Sequence, residues 1–197
     1  KCANNIFFDV SNVNFKLVGP LVINEVDYDQ PGADAAEFLE LKNISGNAVN
    51  LNGWTVELVN GNAGGAAIYQ TIALPNVNLA AGGYFVICAN NANTPNCDLD
   101  VAPNTDLIQN GAPDGIGLRN AGVLVDAVSY EGNTGAPYTE TSGVGLIDGA
   151  GAANQGISRF PDGTDTDVNN ADLLSNVCVS PGLANLNTTV SCVLPCD

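Results

Sequence analysis

Residues 22–59 read VINEVDYDQPGADAAEFLELKNISGNAVNLNGWTVELV. Short apolar runs alternate here with clusters of Asn, Asp, Gly and Pro, and none is long enough for an amphipathic helix. In Trp54–Val59 the side chains of Trp54, Val56 and Leu58 fall on one side and Thr55 and Glu57 on the other. That alternation is the period of a strand with one buried face. The same pattern continues outward, predicting strands at Leu21–Tyr28, Glu37–Ile44, Trp54–Val59, Ala67–Leu74, Tyr84–Ala89, Gly115–Arg119 and Val123–Tyr130. Tyr84–Cys88, apolar on both faces, is expected to lie centrally. Asn-Gly at 52–53, 60–61 and 110–111 and Gly-Gly at 64–65 and 82–83 offer the positive φ that tight turns need. Strands at this spacing, with almost no helix signal, predict an all-β, immunoglobulin-like β-sandwich. The chain divides into an N-terminal extension strand (1–19), a sandwich (20–186) and a Cys-containing tail (187–197). Residues 133–158, rich in Gly, Ala and Thr, read as an elaborated loop region.

The 197 residues suit one domain, which would bury about 70% of the unfolded chain's surface. Five Lys+Arg oppose 21 Asp+Glu, a net charge of -16, and both His and Met are absent. An acidic surface without a basic cluster repels phosphate backbones, so nucleic-acid binding is excluded by charge. Without His there is no Ser-His-Asp or Cys-His nucleophile, no His-rich zinc site and no imidazole switch. Six Cys without metal-type spacing imply an oxidising compartment. No apolar run approaches 18 residues, the length a membrane span needs. The chain is therefore expected to be secreted and soluble.

Several elements together resemble the lamin tail domain family. They are Ile23-Asn24-Glu25, Glu37 and Glu40-Leu41 before an Asn turn, Leu51-Asn52-Gly53-Trp54, and Leu79-Ala80-Ala81-Gly82-Gly83-Tyr84. Leu118–Tyr130 is similar to that family's closing hairpin. The runs at 158–165 (SRFPDGTD) and 180–185 (SPGLAN) resemble the tail of its secreted bacterial members. The resemblance spans residues 20–186 and implies an immunoglobulin-like sandwich that binds rather than catalyses. No coiled-coil rod or attached enzyme accompanies it, so the filament role of nuclear lamins does not carry over.

Candidate sites follow from residue chemistry. Cys88 and Cys97 flank a loop of Asn, Thr and Pro, and a disulfide there would add about 2–3 kcal/mol by constraining the unfolded chain. Cys2, Cys178, Cys192 and Cys196 sit toward the two ends, where they would staple the termini, with pairing left open. Asp162, Asp165, Asp167, Asn169 and Asp172 form the densest set of hard oxygen ligands, and alternate Asp/Asn in a loop suits Ca²⁺. The match to an EF-hand loop fails at Asn170, where Gly is needed, and no Glu closes the loop; the competing reading is a solvated Asx-turn loop. Tyr28, Asp27, Asp29 and Asp34 around Pro31-Gly32 make a weaker acidic loop. Glu25, Glu37 and Glu40 offer carboxylate pairs of the glycosidase type. They coincide with the family motif, however, where acids fix turns and strand ends, and the lone Trp54 points into the core. No enzymatic activity is expected. Asn43 and Asn187 match the N-glycosylation pattern.

The N-terminal segment carries two apolar rows, Ile6, Phe8 and Val10, then Val13, Phe15 and Leu17. It either pairs with an edge of its own sandwich or adds to the edge of the next subunit. Head-to-tail donation does not close on itself and yields a filament. The expected function is a non-catalytic extracellular structural protein whose partner is itself, a subunit of a fibre or surface layer. The alternative is a monomeric, calcium-dependent adhesion or targeting module that binds a glycan or a cell-surface partner.

Overall fold

A computed structural model describes residues 19–62, 65–149 and 153–194. The apolar rows at 6–17, Cys2 and Cys196 lie outside the described residues. Twelve strands follow one another: β1 (Leu21–Asp27), β2 (Phe38–Asn43), β3 (Val49–Asn50), β4 (Trp54–Asn60), β5 (Ala67–Ala73), β6 (Asn78–Leu79), β7 (Tyr84–Cys88), β8 (Cys97–Asp100), β9 (Asp114–Asn120), β10 (Val123–Tyr130), β11 (Gln155–Arg159) and β12 (Leu173–Cys178). Among the described residues one short helix, α1 (Asn169–Asp172), accompanies these twelve strands and precedes β12. A six-stranded sheet runs β12-β11-β1-β2-β7-β8, a four-stranded sheet runs β10-β9-β4-β5, and β3 pairs with β6.

The core lies between the two large sheets. One contributes Leu21, Ile23, Leu39, Leu41, Phe85 and Ile87, the other Trp54, Val56, Leu58, Ile116, Leu118 and Val128. Alternation sets which side chains face inward, and one irregularity resets it. The β1–β2 register shifts between Ile23 and Glu25, after which Val26 and Tyr28 face the core. Glu25 and Asp27 are thereby turned outward, where both are nevertheless buried. Tyr28 stacks on Tyr130 with ring centroids 4.4 Å apart, closing one end of the core.

The outward face of the six-stranded sheet is covered by the chain after β12. Val179 packs with Phe38, Val86 and Cys88. Ser180 N–H donates to Glu25 Oε2 (2.8 Å) and Gly182 N–H to Glu40 Oε2 (2.7 Å). Asn185 Nδ2 donates to the carbonyls of Asn24 and Arg159, each at 3.0 Å. Burial on both faces explains why Tyr84–Cys88 is apolar throughout. Yet β7 is not central: only the four-residue, parallel β8 lies beyond it, and the covering comes from the C-terminal strap. The turn glycines divide likewise. Gly53 and Gly82 adopt positive φ (87° and 72°). Gly61 does not; a Cβ there would sit 2.5 Å from the carbonyl oxygen of Pro113, so glycine is needed for close approach.

Candidate functional site

Arg159 is the last residue of β11, and its side chain is fully buried. Burial of a guanidinium is tolerable only with partners for its five donors. Nε donates to the Ile23 carbonyl (2.8 Å), and Nη1 to the Thr164 carbonyl (2.9 Å) and Asp165 Oδ1 (3.4 Å). Nη2 donates to both oxygens of Asp126, at 2.9 and 3.1 Å. Asp172 Oδ2 lies 3.5 Å from Nη1. The surrounding carboxylates hold the guanidinium pKa above its ordinary value, against the opposing effect of burial. Burial drives Asp126 the other way, raising its pKa despite the adjacent arginine. Oxygens of Asp126, Glu140 and Asp165 all lie within 4.8 Å of one another, and Asp165 Oδ2 is buried without a hydrogen-bond partner.

The five expected calcium ligands do not gather as one set. Asp162 turns to the opposite group, accepting from Asn24 Nδ2 (2.9 Å), Tyr84 OH (2.7 Å) and Lys42 Nζ, which hold its pKa below the ordinary value despite partial burial. Asp172 organises the loop, accepting from Thr166 N–H (2.7 Å) and Thr166 Oγ1 (2.8 Å). Asp167 N–H donates to Asp165 Oδ1 at 3.2 Å. The Asn169 amide donates to Glu140 Oε2 and the Ala127 carbonyl and accepts from Ser129 N–H, fastening α1 to β10. Only Asp165 joins the carboxylate group, and its companions Asp126 and Glu140 were not among the residues expected from the sequence. An acid inside the apolar run VLVDAVSY was the available sign of Asp126; Glu140 lies in a Gly/Thr-rich stretch with no comparable sign.

The other acidic loop is a folding device. Asp34 Oδ1 accepts from Gln30 N–H (2.9 Å), and Asp148 Oδ2 accepts from the N–H groups of Tyr28 (2.7 Å) and Asp29 (3.0 Å). Asp27 and Asp148 face each other, and burial pushes the pKa of both up. Glu25 and Glu40 stand opposite each other on β1 and β2, as a carboxylate pair would require. Both are fully buried beneath the strap and occupied by Ser158 Oγ, Ser180 N–H, Asn24 Nδ2 and Gly182 N–H. A substrate has no access to them. Burial raises Glu25 to about 7 and places Glu40 well above the usual carboxylate range. Glu37 is elsewhere, accepting from Leu107 N–H (2.6 Å) and Ile108 N–H (3.2 Å), and burial lifts it to about 8.

Cys88 and Cys97 are joined, and so are Cys178 and Cys192. The reading of Asn43 as a glycosylation acceptor is corrected. The residue is fully buried, and its amide donates to the carbonyls of Asn47, Leu79 and Ala80, so the nitrogen that would carry a sugar is committed to the β2 turn. Asn187 is exposed.

The sheet edges differ in a way that bears on partners. Strand β8 has four residues, two of them Asp. Strand β12 is flanked by Thr188, whose carbonyl accepts from Cys178 N–H, and by Ile147 and Gly149, whose N–H groups donate to Ser175 and Asn176. Glu140 and Asn169 occupy backbone groups of β10. Strand β5, AIYQTIA, has no charged residue and no proline, and no described strand pairs with its far side.

Among the described residues no helix is long and apolar enough to cross a membrane. A search of curated proteins finds no match to the chain. A family model does: the Lamin Tail Domain, over residues 16–132. That family comprises immunoglobulin-like, non-enzymatic domains of structural or protein-interaction type. The matched segment ends after β10, so β11 and β12 complete the six-stranded sheet from beyond it. With sandwich, core and sequence model in agreement, the chain belongs to the lamin tail domain family.

Proposed function

We propose that this chain is a non-catalytic, extracellular structural protein whose copies join head to tail, the N-terminal segment of one adding as a strand to β5 of the next. The observation that carries the reading is the edge itself. Natural sheets protect exposed edges with charge, proline, short length or a covering loop, because unpaired backbone groups template strand addition. The edges at β8 and β10, and β12 at Cys178, have such protection, whereas β5 has seven uncharged residues with Ile68 46% exposed and meets residues 102–109 through the side chains of Tyr69 and Gln70. The donor is the alternating segment that precedes β1. Burial of its apolar side chains would contribute roughly 1.5–3 kcal/mol each before the cost of ordering them. Lys1 and Lys16 outnumber Asp9 in that segment, a favourable balance against an acidic body. Two disulfides suit an oxidising, extracellular setting.

Size-exclusion chromatography and negative-stain microscopy of the intact chain test this. Filaments are expected from the intact chain, and monomers after deletion of residues 1–18 or introduction of Ile68→Lys with Thr71→Lys. An intact chain that remains monomeric at all concentrations refutes assembly and leaves the monomeric adhesion module as the reading.

A further inference from the structure

We propose that Asp126, Glu140 and Asp165 bind a calcium ion that ties the connection after β10 and the loop after β11 to strand β10 itself. Each carboxylate comes from a different segment: Asp126 from β10, Glu140 from the residues between β10 and β11, and Asp165 from the loop between β11 and α1. Their oxygens lie within 4.8 Å of one another. Two oxygens on one Ca²⁺, each at 2.3–2.6 Å, can be no more than about 5 Å apart, a limit that each pair here satisfies.

Two further observations point to a cation. Asp165 Oδ2 is buried without a hydrogen-bond partner, on a side chain only 1% exposed. A buried carboxylate oxygen in that condition is costly unless something neutralises it. The charges also fail to balance. Asp126, Glu140, Asp165 and Asp172 all act on Arg159, while the other basic side chains among the described residues, Lys42 and Arg119, pair with Asp162 and Glu57. Its donors are directed to Asp126, Asp165 and the carbonyls of Ile23 and Thr164, so four carboxylates stand against one guanidinium. An oxygen-only donor set selects hard cations over zinc or copper. Three carboxylates on separate segments suit the flexible coordination of Ca²⁺ better than the near-ideal octahedron that Mg²⁺ demands. The ion would hold Glu140 where it caps the Ala127 N–H, so the site also guards the β10 edge.

Calcium titration calorimetry and thermal melts of the intact, EDTA-treated chain decide the matter. The expected result is one Ca²⁺ per chain and a melting temperature that climbs with the logarithm of calcium concentration, with a smaller rise in equal Mg²⁺. Asp165→Asn should lose at least tenfold in calcium affinity, yet melt in EDTA no lower than the parent, because a like charge has been removed. Glu140→Gln should follow the same pattern and serves if Asp165→Asn does not fold. The proposal is overturned if neither heat nor a melting shift accompanies calcium. It is equally overturned if the calcium-dependent rise survives both substitutions. Filament formation is not the readout, so the outcome is independent of the assembly reading.

Discussion

At the scale of single residues, the polar groups of this sandwich are interior fasteners. Arg159 bridges β11, β1 and β10 through Asp126 and the Ile23 carbonyl. Arg159→Met would leave several carboxylates buried without their cation, and such losses cost about 3–5 kcal/mol. Urea unfolding should report a drop of that order; a change below about 1 kcal/mol would mean the carboxylates are neutralised by other means. Glu25 makes a pH-dependent contribution. Its folded pKa of about 7 exceeds the ordinary 4.5, so the native state retains a proton that the unfolded chain has released. Stability from this group is present below about pH 4.5 and is lost as pH rises toward 7. Glu37, raised to about 8, extends the same trend. Repulsion within an acidic chain acts in the same direction, so wild-type melting alone does not isolate Glu25. Glu25→Gln does: its amide can donate to Ser158 Oγ while its carbonyl accepts from Ser180 N–H. The variant should match the parent at pH 5, exceed it at pH 8, and show a shallower fall in melting temperature between them. An identical slope in both proteins would exclude Glu25 as a contributor.

At the scale of elements, the sequence could be read wherever side-chain alternation and turn residues coincide. Val123–Tyr130 matches β10 end to end, and Trp54–Val59 differs from β4 only by Asn60. The strands that escaped reading are those with little apolar alternation of their own. Strand β11, QGISR, has Ile157 as its one core side chain and is stabilised by pairing with β1, some 130 residues earlier. Strand β8, CDLD, is polar and is held by a disulfide and by the parallel pairing with β7. The candidate cation site was read from the sequence only at Asp165: local spacing marks an Asp-rich loop, and the acid within the apolar run of β10 does not by itself say that the loop meets it across the fold. Glu37 illustrates the long reach of one motif acid, since it fixes the connection leading to β9 through two N–H groups 70 and 71 residues away. Glu37→Ala leaves both donors buried and unpaired, at about 1–3 kcal/mol each. Amide exchange should accelerate at Leu107 and Ile108 well before the β4 and β9 amides respond; uniform acceleration would indicate that the connection has no independent stability.

At the scale of the whole molecule, charge sets the conditions under which copies can meet. Each chain carries a net charge of -16, while β5 carries none and residues 1–18 hold Lys1 and Lys16 against Asp9. Two electrostatic effects therefore oppose each other in the proposed assembly. The donor segment is attracted to an acidic body with a net charge of about one, whereas body repels body with many. Repulsion between like bodies dominates by that ratio, and it acts over distances that salt controls. The Debye length shrinks from about 30 Å at 0.01 M to about 10 Å at 0.1 M, shorter than the separation of two domain centres. Strand addition itself, made of backbone hydrogen bonds and apolar burial, is insensitive to such screening. Filament growth of the intact chain, followed by light scattering, should consequently accelerate from 0.01 to 0.1 M NaCl and level off above that. Growth that slows as salt is added would mean that attraction to Lys1 and Lys16 governs encounter, and would move the acceptor from the uncharged β5 edge to an acidic surface such as β8.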